Sequence, residues 1–162
     1  MSDYYTEQLV KRKTPGWTYL ARGLMIAATV LLAVLTLMLP IAFIVLVLWC
    51  VAEYFLFRSM SVEYEYLYIN GSLDVDKIMS RSKRKHVFDM TVAELEVLAP
   101  AGAPELRQYQ NIRGVHYDSG NPDAKVYEMI VMKNGDKKKI IFEPNSVILE
   151  GMRMMAPRKV FL

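Results

Sequence analysis

WTYLARGLMIAATVLLAVLTLMLPIAFIVLVLWCVAEYFLF occupies residues 17–57 and decides the architecture of this chain, because it is almost entirely apolar. Thirty consecutive positions within it, from Gly23 to Ala52, carry no charge. A transmembrane helix needs about 20 mostly apolar residues to cross a hydrocarbon core of roughly 30 Å. One straight helix here would extend for about 60 Å and leave apolar side chains in water. The run therefore predicts two membrane crossings.

Pro40 divides the run in two. Proline lacks an amide hydrogen, disfavours helix at the residue before it, and suits the first turn of a new helix. We therefore expect transmembrane helices over about residues 18–38 and 41–57. Two alternatives stay open at this point: one long helix kinked at Pro40, and a helical pair buried in a soluble protein. The run is too long for a cleaved signal peptide.

Basic residues flank the run, and none lies between the two predicted helices. Lys11, Arg12, Lys13 and Arg22 precede the apolar core, and Arg58 follows it. By the positive-inside rule, both termini lie in the cytoplasm of a multi-pass membrane protein, with the Pro40 turn outside. Aromatic and basic side chains near helix ends are typical of membrane-interface anchors. The predicted anchors are Trp17, Tyr19, Arg22, Tyr54 and Arg58.

The rest of the chain has room for one small domain. The protein has 162 residues, of which 53% are hydrophobic and 23% charged. Its single cysteine, Cys50, lies in the apolar run, so nothing indicates a disulfide or an oxidising compartment. A net charge of +3 is too small to indicate nucleic-acid binding. We expect a cytoplasmic N-terminal segment over residues 1–16, a transmembrane hairpin over 17–58 and a cytoplasmic domain over 59–162.

That domain carries the pattern of an antiparallel sheet. Short runs rich in Val, Tyr and Ile alternate with turn residues. Asn70-Gly71 and Asn134-Gly135 predict type I′ hairpin turns, since both turn positions need positive φ. The predicted strands cover residues 62–69, 73–79, 87–90, 95–99, 115–117, 126–132 and 138–142.

A helix is predicted to close the domain. Pro144 suits a first turn, and Pro157 ends a helix over about residues 144–156, with Ile148, Met152 and Met155 on one face. Short strands followed by one amphipathic helix favour a strongly bent sheet or partial barrel that the helix caps. The predicted fold is thus α+β: a transmembrane α-hairpin, a bent antiparallel β-sheet and a C-terminal capping helix.

Several segments carry a resemblance to a known family. VEYEY at 62–66, GSLDVDKI at 71–78 and RSKRK at 81–85 resemble bacterial membrane proteins with a pleckstrin-homology-like domain. The whole chain, including FEP at 142–144 and APRKVF at 156–161, resembles a family of small two-helix membrane proteins of unknown function. The resemblance implies a pleckstrin-homology-like fold and a bacterial inner-membrane location. None of these motifs is catalytic.

Two basic clusters are candidate contacts for lipid headgroups or a protein partner. Near a membrane, each positive residue contributes about 1 kcal/mol toward anionic lipid. The alternative is a solvated strand edge whose charges prevent edge-to-edge pairing. Phosphoinositide-binding pleckstrin-homology domains place basic residues around their first hairpin loop, which here is Asn70-Gly71, so no specific inositol-phosphate site is predicted. The candidates are Arg81, Lys83, Arg84, Lys85, Lys137, Lys138 and Lys139.

No catalytic residue, metal, cofactor or small-molecule substrate is predicted. His86 and His116 lack partners at metal-ligand spacing, and no nucleophile motif or phosphate loop occurs. Tyr64, Tyr66 and Tyr68 form a row that we expect to pack in the core or near the membrane, rather than stack a ligand.

Two functions fit these expectations. The first is a non-enzymatic binding or scaffolding module, whose domain contacts membrane lipids and recruits a protein partner or a second copy, without nucleic acid. The alternative is an accessory subunit of a transporter or channel, whose hairpin packs on larger helices through small residues. These small residues are Ala27, Ala28, Thr29, Ala33, Thr36 and Ala42.

Overall fold

The computed structural model describes residues 5–59, 61–79 and 83–162. The described helices and strands form two units: a pair of helices, and a domain of strands with a third helix. Because the first strand precedes the helix pair, the pair is inserted between the first two strands of the domain. The elements in chain order are β1 (Tyr5–Lys11), α1 (Gly16–Met38), α2 (Ala42–Ser59), β2 (Val62–Ile69), β3 (Ser72–Met79), β4 (Lys83–Thr91), β5 (Leu95–Pro100), β6 (Gly114–His116), β7 (Tyr127–Lys133), β8 (Asp136–Phe142) and α3 (Ser146–Met155).

The apolar run forms two helices that break where proline predicted. At the end of α1, the Leu39 amide donates a hydrogen bond to the Leu35 carbonyl at 2.9 Å. At the start of α2, the Phe43 amide donates to the Pro40 carbonyl at 3.1 Å. The alternative of one long kinked helix is therefore wrong. By length and composition alone, α1 is the one described helix that qualifies as a membrane span, and the apolar part of α2, Ala42–Phe57, is shorter.

The first sheet has the order β1-β2-β3-β4. Strand β1 pairs antiparallel with β2 along its whole length, from Tyr5↔Ile69 to Lys11↔Glu63. No strand was predicted in this N-terminal segment. The turn between β2 and β3 has positive φ at Asn70 (44°) and Gly71 (89°), which confirms the predicted hairpin.

The second sheet has the order β5-β7-β8-β6. Its β7–β8 hairpin turns at Asn134 and Gly135 with φ of 55° and 87°, as predicted. Strand β6 runs parallel to β8, which no local pattern indicated. Together the strands form two bent, mainly antiparallel sheets of an α+β fold, with α3 at the C-terminus.

The tyrosine row and α3 meet in the core. Tyr64, Tyr66 and Tyr68 are 3%, 0% and 0% exposed, which confirms core packing. Asn145, rather than Pro144, begins the helix, because its Oδ1 accepts the amide of Ile148 at 2.9 Å. Ile148 and Met152 are fully buried on the predicted apolar face, and Met155, although 56% exposed, accepts a contact from the Tyr68 hydroxyl at 3.9 Å on the same face.

Strand β1 is also tied to the segment before α3. The Gln8 amide donates to the carbonyl of Glu143 at 2.7 Å and accepts the backbone N–H of Asn145 at 2.7 Å. The chain beyond α3 then returns to β5, where the Leu98 amide donates to the Lys159 carbonyl at 2.7 Å. Strand β1 and the segment after α3 therefore both belong to the folded domain.

Candidate functional site

The first basic cluster lies on β4, an edge strand of the first sheet. Lys83, Arg84 and Lys85 are all exposed. Arg84 forms ion pairs with Glu65 and with Asp76, the latter at 3.7 Å, whereas no described residue forms an ion pair with either lysine. Arg81 lies outside the described residues. The cluster thus presents two free lysines beside a neutralised arginine.

The second basic cluster lies on β8 and is largely neutralised. The Lys139 Nζ lies 2.6 Å from a Glu128 carboxylate oxygen, and both side chains are mostly buried. The Lys137 Nζ lies 2.9 Å from Glu96 and 5.2 Å from the centre of the Tyr109 ring. Among the described residues, only Lys138 of this group lacks an ion pair. The structure does not join the two clusters, which belong to different sheets.

A charged chain beside the first cluster links the two sheets. The ring nitrogens of His86 lie 3.0 Å from Asp76 and 3.4 Å from Asp89. Lys133 of β7 reaches across, with Nζ 2.6 Å from the Asp89 carboxylate. The hydrogen bond to Asp76 raises the pKa of His86, and Lys133 lowers the pKa of Asp89. These four groups are therefore paired with one another at the surface between the two sheets.

The helix pair contains a polar cluster between its helices. The Thr29 hydroxyl of α1 donates to a Glu53 carboxylate oxygen at 2.7 Å, and the Trp49 indole N–H donates to the same hydroxyl at 3.0 Å. A carboxylate shielded from water is stabilised by a hydrogen-bond donor, which α1 supplies.

The outer surface of the helix pair is apolar. The charged side chains Arg22 and Glu53 are half-buried, and Arg22 lies 5.5 Å from the ring centre of Phe57. Large apolar side chains along both helices are 55–66% exposed; they include Leu24, Val30, Leu31, Val34, Phe43, Ile44, Leu48 and Phe55. This is the reverse of a soluble helix, which turns its polar face outward.

The predicted interface anchors lie at one end of the pair. Trp17 and Tyr19, near the start of α1, are 66% and 63% exposed, and Tyr54, near the end of α2, is 60% exposed. The contact between Arg22 and Phe57 brings these two helix ends together. The side chain of Arg58 lies outside the described part of the chain.

The small residues of the two helices divide between two surfaces. Ala28, Thr29, Thr36 and Ala42 are half-buried, whereas Ala27 and Ala33 are exposed. Most of the small residues proposed to contact a larger complex are therefore on the more buried side of their helices. This weakens the accessory-subunit interpretation, although the exposed Ala27 and Ala33 remain available for such a contact.

A buried polar junction escaped sequence reasoning. The Tyr66 hydroxyl donates to the Tyr117 carbonyl at 2.6 Å, and burial raises the pKa of Tyr66. The Glu143 carboxylate accepts the amide of Ser119 at 2.7 Å. The FEP motif at 142–144 was the available signal, because an acid between a buried aromatic and a proline is unusual in a solvated loop.

No group of three or more His, Cys, Asp or Glu in the described part of the chain could hold a metal ion.

One family model matches nearly the whole chain. It is described as a bacterial PH-like domain (DUF6106), and it covers residues 2–162. No curated protein and no solved structure matches. The match includes β1, the helix pair and the sheets, and so it agrees with a domain into which the helices are inserted. The chain therefore belongs to the bacterial PH-like domain family (DUF6106).

Proposed function

We propose that this chain is a membrane-anchored, non-enzymatic binding or scaffolding module, which holds its pleckstrin-homology-like domain at the cytoplasmic face of the bacterial inner membrane. The helix pair is the anchor, and the domain recruits a protein partner or contacts lipid. A tethered domain gains effective concentration for any partner at that surface, so even weak contacts suffice.

The inverted polarity of the helix pair carries the proposal. Thr29, Trp49 and Glu53 bond to one another, while the exposed side chains along the helices are apolar. An apolar surface of this extent is unfavourable in water and favourable in lipid. At 1.5 Å per residue, α1 spans about 35 Å and α2 about 27 Å, near the roughly 30 Å of a hydrocarbon core.

The strand pairing supports two crossings over one. Residues Lys11 and Glu63, which lead into and out of the helical segment, are partners in the β1–β2 ladder. This pairing supports a chain that returns to the side from which it left, by an even number of crossings. With the positive-inside rule, that side is the cytoplasm.

Site-specific labelling tests this topology. In a Cys50→Ala background, Leu39→Cys places a thiol in the helix turn and Lys125→Cys places one in the domain. A membrane-impermeant maleimide added to intact cells whose outer membrane has been permeabilised should label position 39 and spare position 125 until the inner membrane is opened. Labelling of position 39 only after cell lysis, or release of the protein by alkaline carbonate, would contradict the proposal.

The accessory-subunit alternative predicts a different composition after purification. The exposed Ala27 and Ala33 would then pack against larger helices. Extraction in mild detergent should in that case yield a stoichiometric transporter or channel, and Ala27→Leu with Ala33→Leu should release it. A scaffolding module instead purifies without such a complex, and these substitutions leave its partners unchanged.

A further inference from the structure

We propose that one end of the first sheet docks on anionic phospholipid headgroups. This basic sheet end is the end opposite the Asn70-Gly71 turn, and its members are Lys11, Arg12, Lys13, Lys77, Lys83 and Lys85. The inference rests on the proposed membrane anchoring and adds to it a surface, a ligand class and an orientation of the domain.

Strand register brings these residues to one end. Strand β1 finishes at Lys11, opposite Glu63 at the start of β2. Strand β3 runs back from the Asn70-Gly71 turn, so its last residues, including Lys77, return to the same end. Strand β4 begins there at Lys83, and its ion pair from Arg84 to Glu65 of β2 confirms the alignment.

The positive charge at this end is mostly free. Among the residues that the structure describes, no ion pair involves Lys11, Lys13, Lys77, Lys83 or Lys85. Arg12 bonds only to a neutral acceptor, the Tyr64 hydroxyl at 3.3 Å.

The acids of this region are few or already paired. Glu65 and Asp76 form ion pairs with Arg84. Asp118 lies 3.1 Å from His116, next to Ser119, whose carbonyl accepts the Lys13 amide. Glu63 lies opposite Lys11 in the ladder, and Glu143 accepts the Ser119 amide at 2.7 Å, so the described acids near this end number five against seven basic residues, Arg84 included. The basic sheet end therefore keeps an excess of positive charge.

Short segments of chain join this end of the sheet to the two helices. Lys11 and Gly16 are separated by four residues, and Ser59 and Val62 by two. A fully extended linker of this length spans at most about 17 Å. The Asn70-Gly71 turn lies a further eight-residue strand away, about 26 Å. Charges act over a screening length of about 8 Å in physiological salt, so the end joined to the anchor by these short segments is the one that we infer to dock.

A lipid surface fits this charge distribution better than a single bound phosphate. The free lysines are spread over three strands and a strand terminus. Two cavities lined by described residues, of about 560 and 520 Å³, contain none of these lysines; they are formed by residues 92–93 with 155–159 and by residues 100–101 with 122–127. Anionic headgroups attract such dispersed ammonium groups, and each charge raises the membrane partition coefficient roughly fivefold.

Lysine footprinting on the full-length protein tests the inference. The protein is reconstituted in nanodiscs of phosphatidylcholine alone, or of equal parts phosphatidylcholine and phosphatidylglycerol, and acetylation of each lysine is followed by mass spectrometry. With phosphatidylglycerol, Lys11, Lys77, Lys83 and Lys85 should react several-fold more slowly than in phosphatidylcholine. Salt near 1 M should remove the protection, because the screening length falls to about 3 Å.

Lys138 provides the matched control. Lys138 is exposed and forms no ion pair among the described residues. It lies toward the Asn70-Gly71 end of the domain: Lys138 pairs with Val131, which pairs with Leu95. Val92, three residues before Leu95, donates its amide to the Gly71 carbonyl. Its acetylation should not depend on lipid. Lys85→Glu should lower the equilibrium constant for docking about 25-fold and deprotect Lys83, while Lys138→Glu should not.

The outcomes separate this inference from the anchoring proposal. Resistance to alkaline carbonate extraction reports membrane insertion independently of lysine protection. Insertion without lipid-dependent protection overturns the docking surface and leaves the anchor intact. Protection in native membranes but not in pure lipid also overturns it, because a protein would then be the ligand. Failure of insertion itself removes the premise and refutes both.

Discussion

A single missing side chain sets how closely α3 approaches the sheet. A Cβ at Gly151 would lie 2.5 Å from Cε1 and 3.0 Å from the hydroxyl of Tyr68, whose ring is fully buried. A real Cβ does not approach a carbon that closely, and the Tyr68 ring has no free space into which to move. The contact explains why a helix-disfavouring glycine occupies the middle of a short helix.

We expect Gly151→Ala to destabilise the domain by about 1–3 kcal/mol, the usual effect of overpacking, despite the better helix propensity of alanine. The thermal midpoint in detergent, followed by near-ultraviolet circular dichroism, measures it. Glu150→Ala, an exposed neighbour in the same helix, should leave the midpoint nearly unchanged. An unaltered midpoint for Gly151→Ala would refute the close approach.

His86 should titrate above its ordinary pKa of 6.5, because hydrogen bonds to Asp76 and then Asp89 favour the protonated ring. The folded state binds this proton more tightly than the unfolded state. The contribution to stability is therefore complete below about pH 6.5 and declines as pH rises through the raised pKa. Proton NMR of the imidazole should record the shift, and Asp76→Asn should reduce it. Titration at 6.5 in the native protein would disprove the bridge.

At the scale of elements, the two helices depend on polar contacts that apolar patterning does not reveal. The Thr29 hydroxyl serves both Trp49 and Glu53. Under the proposed membrane anchoring, the hydrophobic effect does not hold the two helices together, so packing and such hydrogen bonds must do so. The helix pair is therefore most sensitive where its side chains are least typical of a transmembrane segment.

Thr29→Val should weaken the pairing of α1 and α2 by about 0.6–2 kcal/mol, since it preserves shape but leaves the Trp49 indole and Glu53 carboxylate without their shared partner. Thr36→Val is the matched control, because the Thr36 hydroxyl bonds only to the Ala33 carbonyl of its own helix. Unfolding in SDS, followed by Trp49 fluorescence in a Trp17→Phe background, compares the two. Equal midpoints for both variants would argue against the polar cluster.

At the scale of the molecule, the domain is discontinuous in sequence. Strand β1 contributes a full edge to the first sheet, Val10 to the core, and Gln8 to the segment before α3. A domain boundary placed after the helices, as sequence patterning suggested at residue 59, separates the domain from its first strand.

This organisation predicts that the helices can be removed. Joining Lys11 directly to Glu63 through an Asn-Gly turn should yield a soluble, folded domain, because these residues are already ladder partners. Residues 63–162 alone should be markedly less stable or aggregate, since they expose the edge of β2. Thermal unfolding and gel filtration without detergent compare the two. Comparable stability of both proteins would show that β1 is dispensable.

Local patterns accounted for much of the fold. The break at Pro40, both Asn-Gly hairpins, the buried tyrosine row and the C-terminal helix follow from short-range chemistry: a missing amide, positive φ, and alternation of apolar side chains. The basic residues on β4 were identified, but their ion pairing was not. Which lysine meets an acid depends on strands distant in sequence.

The sequence by itself determined the elements, because a turn or an apolar face depends only on residues a few positions apart. Only the tertiary structure decided that β1 completes the first sheet, that β6 runs parallel to β8, and that Glu53 faces Thr29. Each of these joins residues separated by 24 or more positions. Such contacts depend on the registry of whole elements packed against one another, and no local pattern encodes that registry.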